Sequence, residues 1–375
     1  MKKFKNILVT GGAGFIGSHL VDRLISQGYK VRILDNLTPQ VHQAKIPDYL
    51  NKKAEFIKGD VTEIKDIKKA VDGIDAIFHE ASVVGVGQSM YDIKKYVYQN
   101  SLGTARLLDY LANNKHSTKR LLVASSMSSY GEGLYNCKKC GPIRPSLRTD
   151  EQMSQKKWEL LCPNCKSILT PIGIPETESF KCNSIYAVTK QSQEDMFMIF
   201  GKAYGIPTTA LRYFNVYGPR QSLSNPYTGV AAIFLSRLKN DNPPVIYEDG
   251  LQTRDFISVY DIADANVACL EDERSFGKIF NVGTNNPVAI KEIAEILAKL
   301  LGKNIKPTIA EKFRSGDVRH CSSDISLIKN TLGWQPSWSF EKGMQDLINW
   351  GEKQEAKDTF DEATKELRSK GLLKA

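Results

Sequence analysis

Two hydrophobic rhythms alternate along the first 125 residues. Short apolar-rich runs at residues 7–10, 30–35, 55–59, 76–79 and 120–125 predict buried strands. Between them, helical spacing at residues 15–27, 64–71 and 91–113 predicts helices. Strands that alternate with helices predict an α/β fold, a doubly wound parallel sheet covered on both faces. Residues 131–183 break this rhythm: five prolines, two Cys-x-x-Cys pairs and weak periodicity suggest an insertion with its own small fold. A helix at 184–204 and a strand at 208–214 resume the pattern. A strand at 255–259 and a helix at 262–270 are expected to rejoin the sheet, and the mostly helical pattern from residue 279 onward to build a second lobe. The tail from residue 352 is so charged that a solvated helix is expected.

The composition changes this picture little. Hydrophobic residues make up 41% and charged residues 25%, which excludes general disorder. The net charge of +9 is spread along the chain, so no basic arm points to nucleic acid. No apolar stretch approaches the length of about 20 residues that a membrane span needs, and the basic N-terminus lacks the apolar core of a signal peptide. The expectation is a cytoplasmic protein with no membrane and no nucleic-acid partner.

The turn after the first strand carries the first chemistry. Gly11, Gly12, Gly14 and Gly17, with Phe15 and Ile16 opening the helix, fit a glycine-rich dinucleotide turn. Glycines there let a diphosphate approach the backbone, and the helix N-terminus offers it free N–H groups. Asp35 ends the second strand 18 residues past Gly17. A carboxylate there accepts from ribose hydroxyls and repels a 2′-phosphate, favouring NAD over NADP. Tyr186 and Lys190 are four residues apart at the start of a helix, hence on one face. A nearby ammonium and a nicotinamide cation would lower the phenol pKa, letting Tyr186 take a proton from a sugar hydroxyl. Ser125 and Ser126 end the fifth strand, where ligands of open α/β sheets sit.

These segments together resemble the extended short-chain dehydrogenase/reductases, and within them the nucleotide-sugar 4-epimerases. The likeness spans roughly residues 6–350. It implies a Rossmann-like domain and makes Ser126, Tyr186 and Lys190 the catalytic set. It extends the cofactor site to Asn36, Asp60, Val61, Ala81, Ser82 and Asn100. It gives Ser126, Asn215, Arg254 and Arg319 to a nucleotide-diphosphate sugar, the two arginines on its phosphates. The related 4,6-dehydratases carry Asp-Glu where this chain has Met127-Ser128, which argues against dehydration. The segments 85–91 and 224–230 further resemble the dTDP-L-rhamnose 4-epimerases. A UDP-glucose/UDP-galactose type of 4-epimerase is the alternative, and a non-catalytic NAD-binding protein is the rival of another class. The resemblance also implies a homodimer built on the helices at 91–113 and 184–204.

Cys137 and Cys140 are separated by 21 residues from Cys162 and Cys165. Two such knuckles fit a zinc ribbon, and four thiolates leave no open position, so the zinc is expected to be structural. The expected layout is then an NAD-binding domain of residues 1–215, rejoined by 254–270 and interrupted by the ribbon at 131–183. Residues 216–253 and 271–351 form a nucleotide-sugar-binding lobe, and 352–375 the charged tail.

Overall fold

The computed structural model describes residues 3–374. Met1, Lys2 and Ala375, at the outer ends of the expected first domain and tail, lie outside them. Seven strands form one sheet in the order Ile279–Val282, Thr208–Tyr213, Arg120–Ser126, Ala76–His79, Asn6–Thr10, Lys30–Asp35 and Glu55–Lys58. All neighbours are parallel, and the strands are buried on both faces by packed helices. Strand order reverses between Asn6–Thr10 and Ala76–His79, which opens a crevice at their carboxyl ends.

Two elements changed sides relative to the sequence reading. Strand Thr253–Ser258 lies in a second sheet, beside Asn215–Tyr217 and His320–Ser323. Its helix, Val259–Glu271, does pack on the first domain, where Ile262 and Leu270 join the main core. Strand Ile279–Val282, expected in the second lobe, is the edge strand of the main sheet. Both strands are short, so periodicity alone could not allocate them.

The helix expected at 91–113 is broken. A π-helical turn at Val97–Leu102 separates Ile93–Tyr96 from Gly103–Asn113, a wider turn of the kind often found at functional sites.

The insertion is less separate than expected. Its strands Leu134–Cys137 and Thr170–Ile174 pair with each other, and Thr170–Ile174 runs parallel to His320–Ser323, so the insertion extends the second sheet. The tail is mostly exposed, as expected, but one side of it is packed. Helix Phe360–Ser369 buries Ala363 and Leu367, and Leu373–Lys374 pairs antiparallel with Phe313–Arg314.

Candidate active site

A cavity of about 720 Å³ runs from the glycine turn, across the sheet's carboxyl edge, to the second lobe. At one end Gly11, Gly14, Phe15, Ile16 and Gly17 line it, with Asp35, Asn36, Asp60, Val61, Ala81 and Ser82. Gly11 has φ +69°, and a Cβ there would meet Ala81 Cα at 2.8 Å, so a side chain is excluded on two counts. No side chain caps helix Phe15–Ser26, leaving its first N–H groups for a diphosphate. Asp35 accepts from the Ala13 and Leu37 amides at 3.0 and 2.8 Å, which fixes its carboxylate at the cavity wall. Asp60 accepts from Asn36, Thr62 and Gln99. Burial alone would raise its pKa, but these bonds hold it below the usual value. The donor set fits NAD.

Asn100 is placed differently from expectation. It is fully buried, accepts from Val83 N at 2.7 Å, and donates to Val83 O and Thr189 Oγ1. It fixes the loop after the fourth strand, and its neighbour Gln99 lines the cavity instead.

In the middle of the cavity, helix Ile185–Tyr204 starts at Ser184, whose hydroxyl accepts from Ala187 N. That start aims Tyr186 at the end of strand Arg120–Ser126, where the Ser126 hydroxyl acts to lower the phenol pKa. Ser128 Oγ donates to Ser126 Oγ at 2.9 Å. One turn on, Lys190 is 3% exposed and its Nζ donates to Gln193 Oε1 at 2.8 Å. Gln193 meets His79 and Thr104, and His79 meets Thr10. Burial, and after it Lys190, lowers the His79 pKa to about 3, so the ring is neutral. Ser125 is committed elsewhere: it donates to Glu194 at 2.5 Å, and Glu194 holds Arg212 at 2.6 Å. This buried pair ties the Tyr186 helix to the strand beside Ser126.

The electrostatics show what the protein's own groups do to the phenol. Burial pushes the Tyr186 phenol up to about 12, against the Ser126 hydroxyl. The amine of Lys190 is turned to Gln193 and is itself lowered to about 8 by burial, with Glu80 and Glu194 opposing. The protein alone therefore does not lower the phenol pKa. Glu80 was missed in the sequence. It lines the cavity, accepts from Tyr213 Oη at 2.9 Å, and burial raises its pKa to about 7. Its place just past the carboxyl end of the fully buried strand Ala76–His79 was the signal.

At the far end lie Asn215, Arg254 and Arg314. The Asn215 side-chain oxygen is buried and has no hydrogen-bond partner among the described residues, leaving it for a ligand. Arg254 Nη2 donates to Val318 O at 2.7 Å. Arg319 does not reach the cavity: it is 0% exposed and held by Glu159, Glu248 and Asp249. A fully buried arginine must be paired, and three carboxylates from distant segments do so. Arg314, at 2.7 Å from Asp317, lines the cavity in its stead.

The sulfurs of Cys137, Cys140, Cys162 and Cys165 all lie within 4.8 Å of one another. A tetrahedral Zn–S₄ site with bonds of about 2.3 Å places its sulfurs roughly 3.8 Å apart, so the donor set fits one zinc ion. The cluster lies outside the cavity lining.

Comparison with known proteins defines the class. Residues 7–148 match the model of the NAD dependent epimerase/dehydratase family, and residues 169–347 that of GDP-mannose 4,6 dehydratase. The gap between them, residues 149–168, falls within the cysteine-bearing insertion. A dTDP-L-rhamnose 4-epimerase of Burkholderia thailandensis is 36% identical over 92% of this chain and 94% of its own length. A solved UDP-N-acetylglucosamine 4-epimerase from Methanobrevibacter ruminantium M1, in complex with UDP-N-acetylmuramic acid, superposes with TM-score 0.76 at 31% identity, covering 95% of this chain and all of that one. A UDP-glucuronic acid 4-epimerase variant from Bacillus cereus, in complex with a UDP-fluorosugar and NAD, gives TM-score 0.73 at 28% identity over 93% of this chain and 99% of its own. The chain belongs to the NAD dependent epimerase/dehydratase family, and it is an NAD-dependent enzyme.

Proposed function

We propose that the enzyme is a nucleotide-sugar 4-epimerase, and that its substrate pair is dTDP-L-rhamnose and dTDP-6-deoxy-L-talose. The observation that carries the reaction is the placement of Tyr186, Ser126 and Lys190 together in a cavity that also holds a dinucleotide turn. NAD, bound along Gly11–Gly17 and Asp35, would supply a reversible acceptor for the hydrogen on C4 and a positive charge beside the phenol. Tyr186 Oη takes the proton of the C4 hydroxyl, and Ser126 Oγ holds the reacting oxygen. Lys190 stabilises the phenolate. Asn215, Arg254 and Arg314 hold the diphosphate while the 4-keto sugar turns its other face. Tyr186 then returns the proton to the new alcohol. Met127 and Ser128 face the cavity where a dehydratase would need carboxyl groups, so water loss lacks its acid and base.

The dTDP-deoxysugar reading is supported by the Burkholderia relative. The UDP-sugar complexes of the solved relatives favour a UDP-sugar 4-epimerase as the second reading. We read the four cysteines as a structural zinc ribbon and the assembly as a cytoplasmic homodimer. Val97, Tyr98, Val188 and Ile199 lie exposed on the two helices expected to pair. Tyr186→Phe should lower kcat by about 100-fold or more, the range of a lost general acid–base, with NAD content unchanged. A panel of dTDP- and UDP-sugars followed by NMR reads both substrate and loss. Near-full turnover by the variant defeats the assignment.

A further inference from the structure

The C-terminal segment spans the two halves of the cavity. Its helix, Phe360–Ser369, meets the first domain where Glu366 accepts from Tyr91 Oη at 3.2 Å. There Leu367 packs so close to Gly87 that a Cβ on the glycine would lie 3.4 Å from it. The same helix meets the second lobe, where Arg237 pairs with Asp361 at 3.4 Å and the Phe360 ring lies 6.4 Å from that of Tyr247. Thr359 Oγ1 donates to Ser224 O at 3.0 Å. The chain then returns as a strand against Phe313–Arg314, and Lys374 pairs with Asp150 of the cysteine-bearing insertion. Phe360, Ala363, Thr364, Leu367 and Leu372 all line the cavity.

The glycine turn and Asp35 occupy one end of this cavity, and Tyr186 the middle. The segment closes the opposite end, beside Arg314, whose guanidinium lies 5.5 Å from the Tyr247 ring centre. An apolar and aromatic wall next to a cation suits a nucleobase and its first phosphates. The geometry points to residues 358–374 as the outer wall of the nucleotide half of the substrate site, with Ala363, Leu367 and Leu372 against the base or ribose. This rests on the nucleotide-sugar reading. The segment touches substrate and takes no part in proton transfer.

The test uses NAD-loaded enzyme, with dTDP and UDP as probes. In the full chain, dTDP should slow amide exchange across residues 360–374. By calorimetry, a chain ending at Lys357 should bind dTDP and UDP at least tenfold more weakly while keeping its NAD. If the shortened chain loses NAD, Ala363→Phe in the full chain decides, with the same tenfold weakening expected. Wild-type affinities in the variant that retains NAD, together with unchanged exchange in the full chain, overturn the assignment. A wild-type chain that binds neither nucleotide sinks instead the substrate reading beneath it.

Discussion

Tyr186 is a poor base by its surroundings alone, since burial holds its phenol at about 12. A positive charge must bring it toward neutrality, and Lys190, one helical turn on, lines the same cavity. An ammonium favours phenolate, so removing it raises the phenol pKa. Lys190→Met should therefore shift the rising limb of the kcat–pH profile upward by about one unit or more, with NAD bound as before. A limb that stays in place means that Lys190 does not act on Tyr186. The pair was readable because i and i+4 share a face in any helix, and the glycine turn because its spacing is itself the geometry. Arg319 was misread for the opposite reason. Glu159, Glu248 and Asp249 surround it only after folding, and no local pattern announces them.

At the scale of elements, the cysteine-bearing insertion braces the loop that carries Arg314. Arg148 pairs with Glu248 at 2.7 Å, Asn183 donates to Gly316 O at 2.6 Å, and Met153 and Trp158 pack on Phe313. Replacing Cys162 and Cys165 by Ser should abolish zinc content, lower Tm by at least about 3 °C, and raise KM for the sugar nucleotide several-fold with kcat less affected. Loss of zinc with unchanged Tm and KM would leave the insertion without this role. The five inner strands of the dinucleotide fold were legible, because strands buried on both faces read as apolar runs. The tail was not, although Phe360, Ala363 and Leu367 recur at helical spacing among charges. Three apolar positions in so polar a stretch look like a solvated helix until the cavity supplies their partner.

For the whole molecule, the two lobes meet along one cavity, and the helices behind it leave Val188 and Ile199 about 51% and 68% exposed. The proposed homodimer would cover them. Sedimentation should give twice the chain mass, and Ile199→Glu should give monomers; a wild-type monomer at micromolar concentration contradicts the proposed pairing. The central claim is that C4 loses its hydrogen and regains the same one on the other face, with Tyr186 moving only the proton. Incubating the NAD-loaded enzyme with dTDP-L-rhamnose in D₂O, and reading the product by proton NMR, tests it directly. The account predicts dTDP-6-deoxy-L-talose with its C4 proton fully retained; deuterium at C4, or no inverted product from any sugar nucleotide offered, would contradict it.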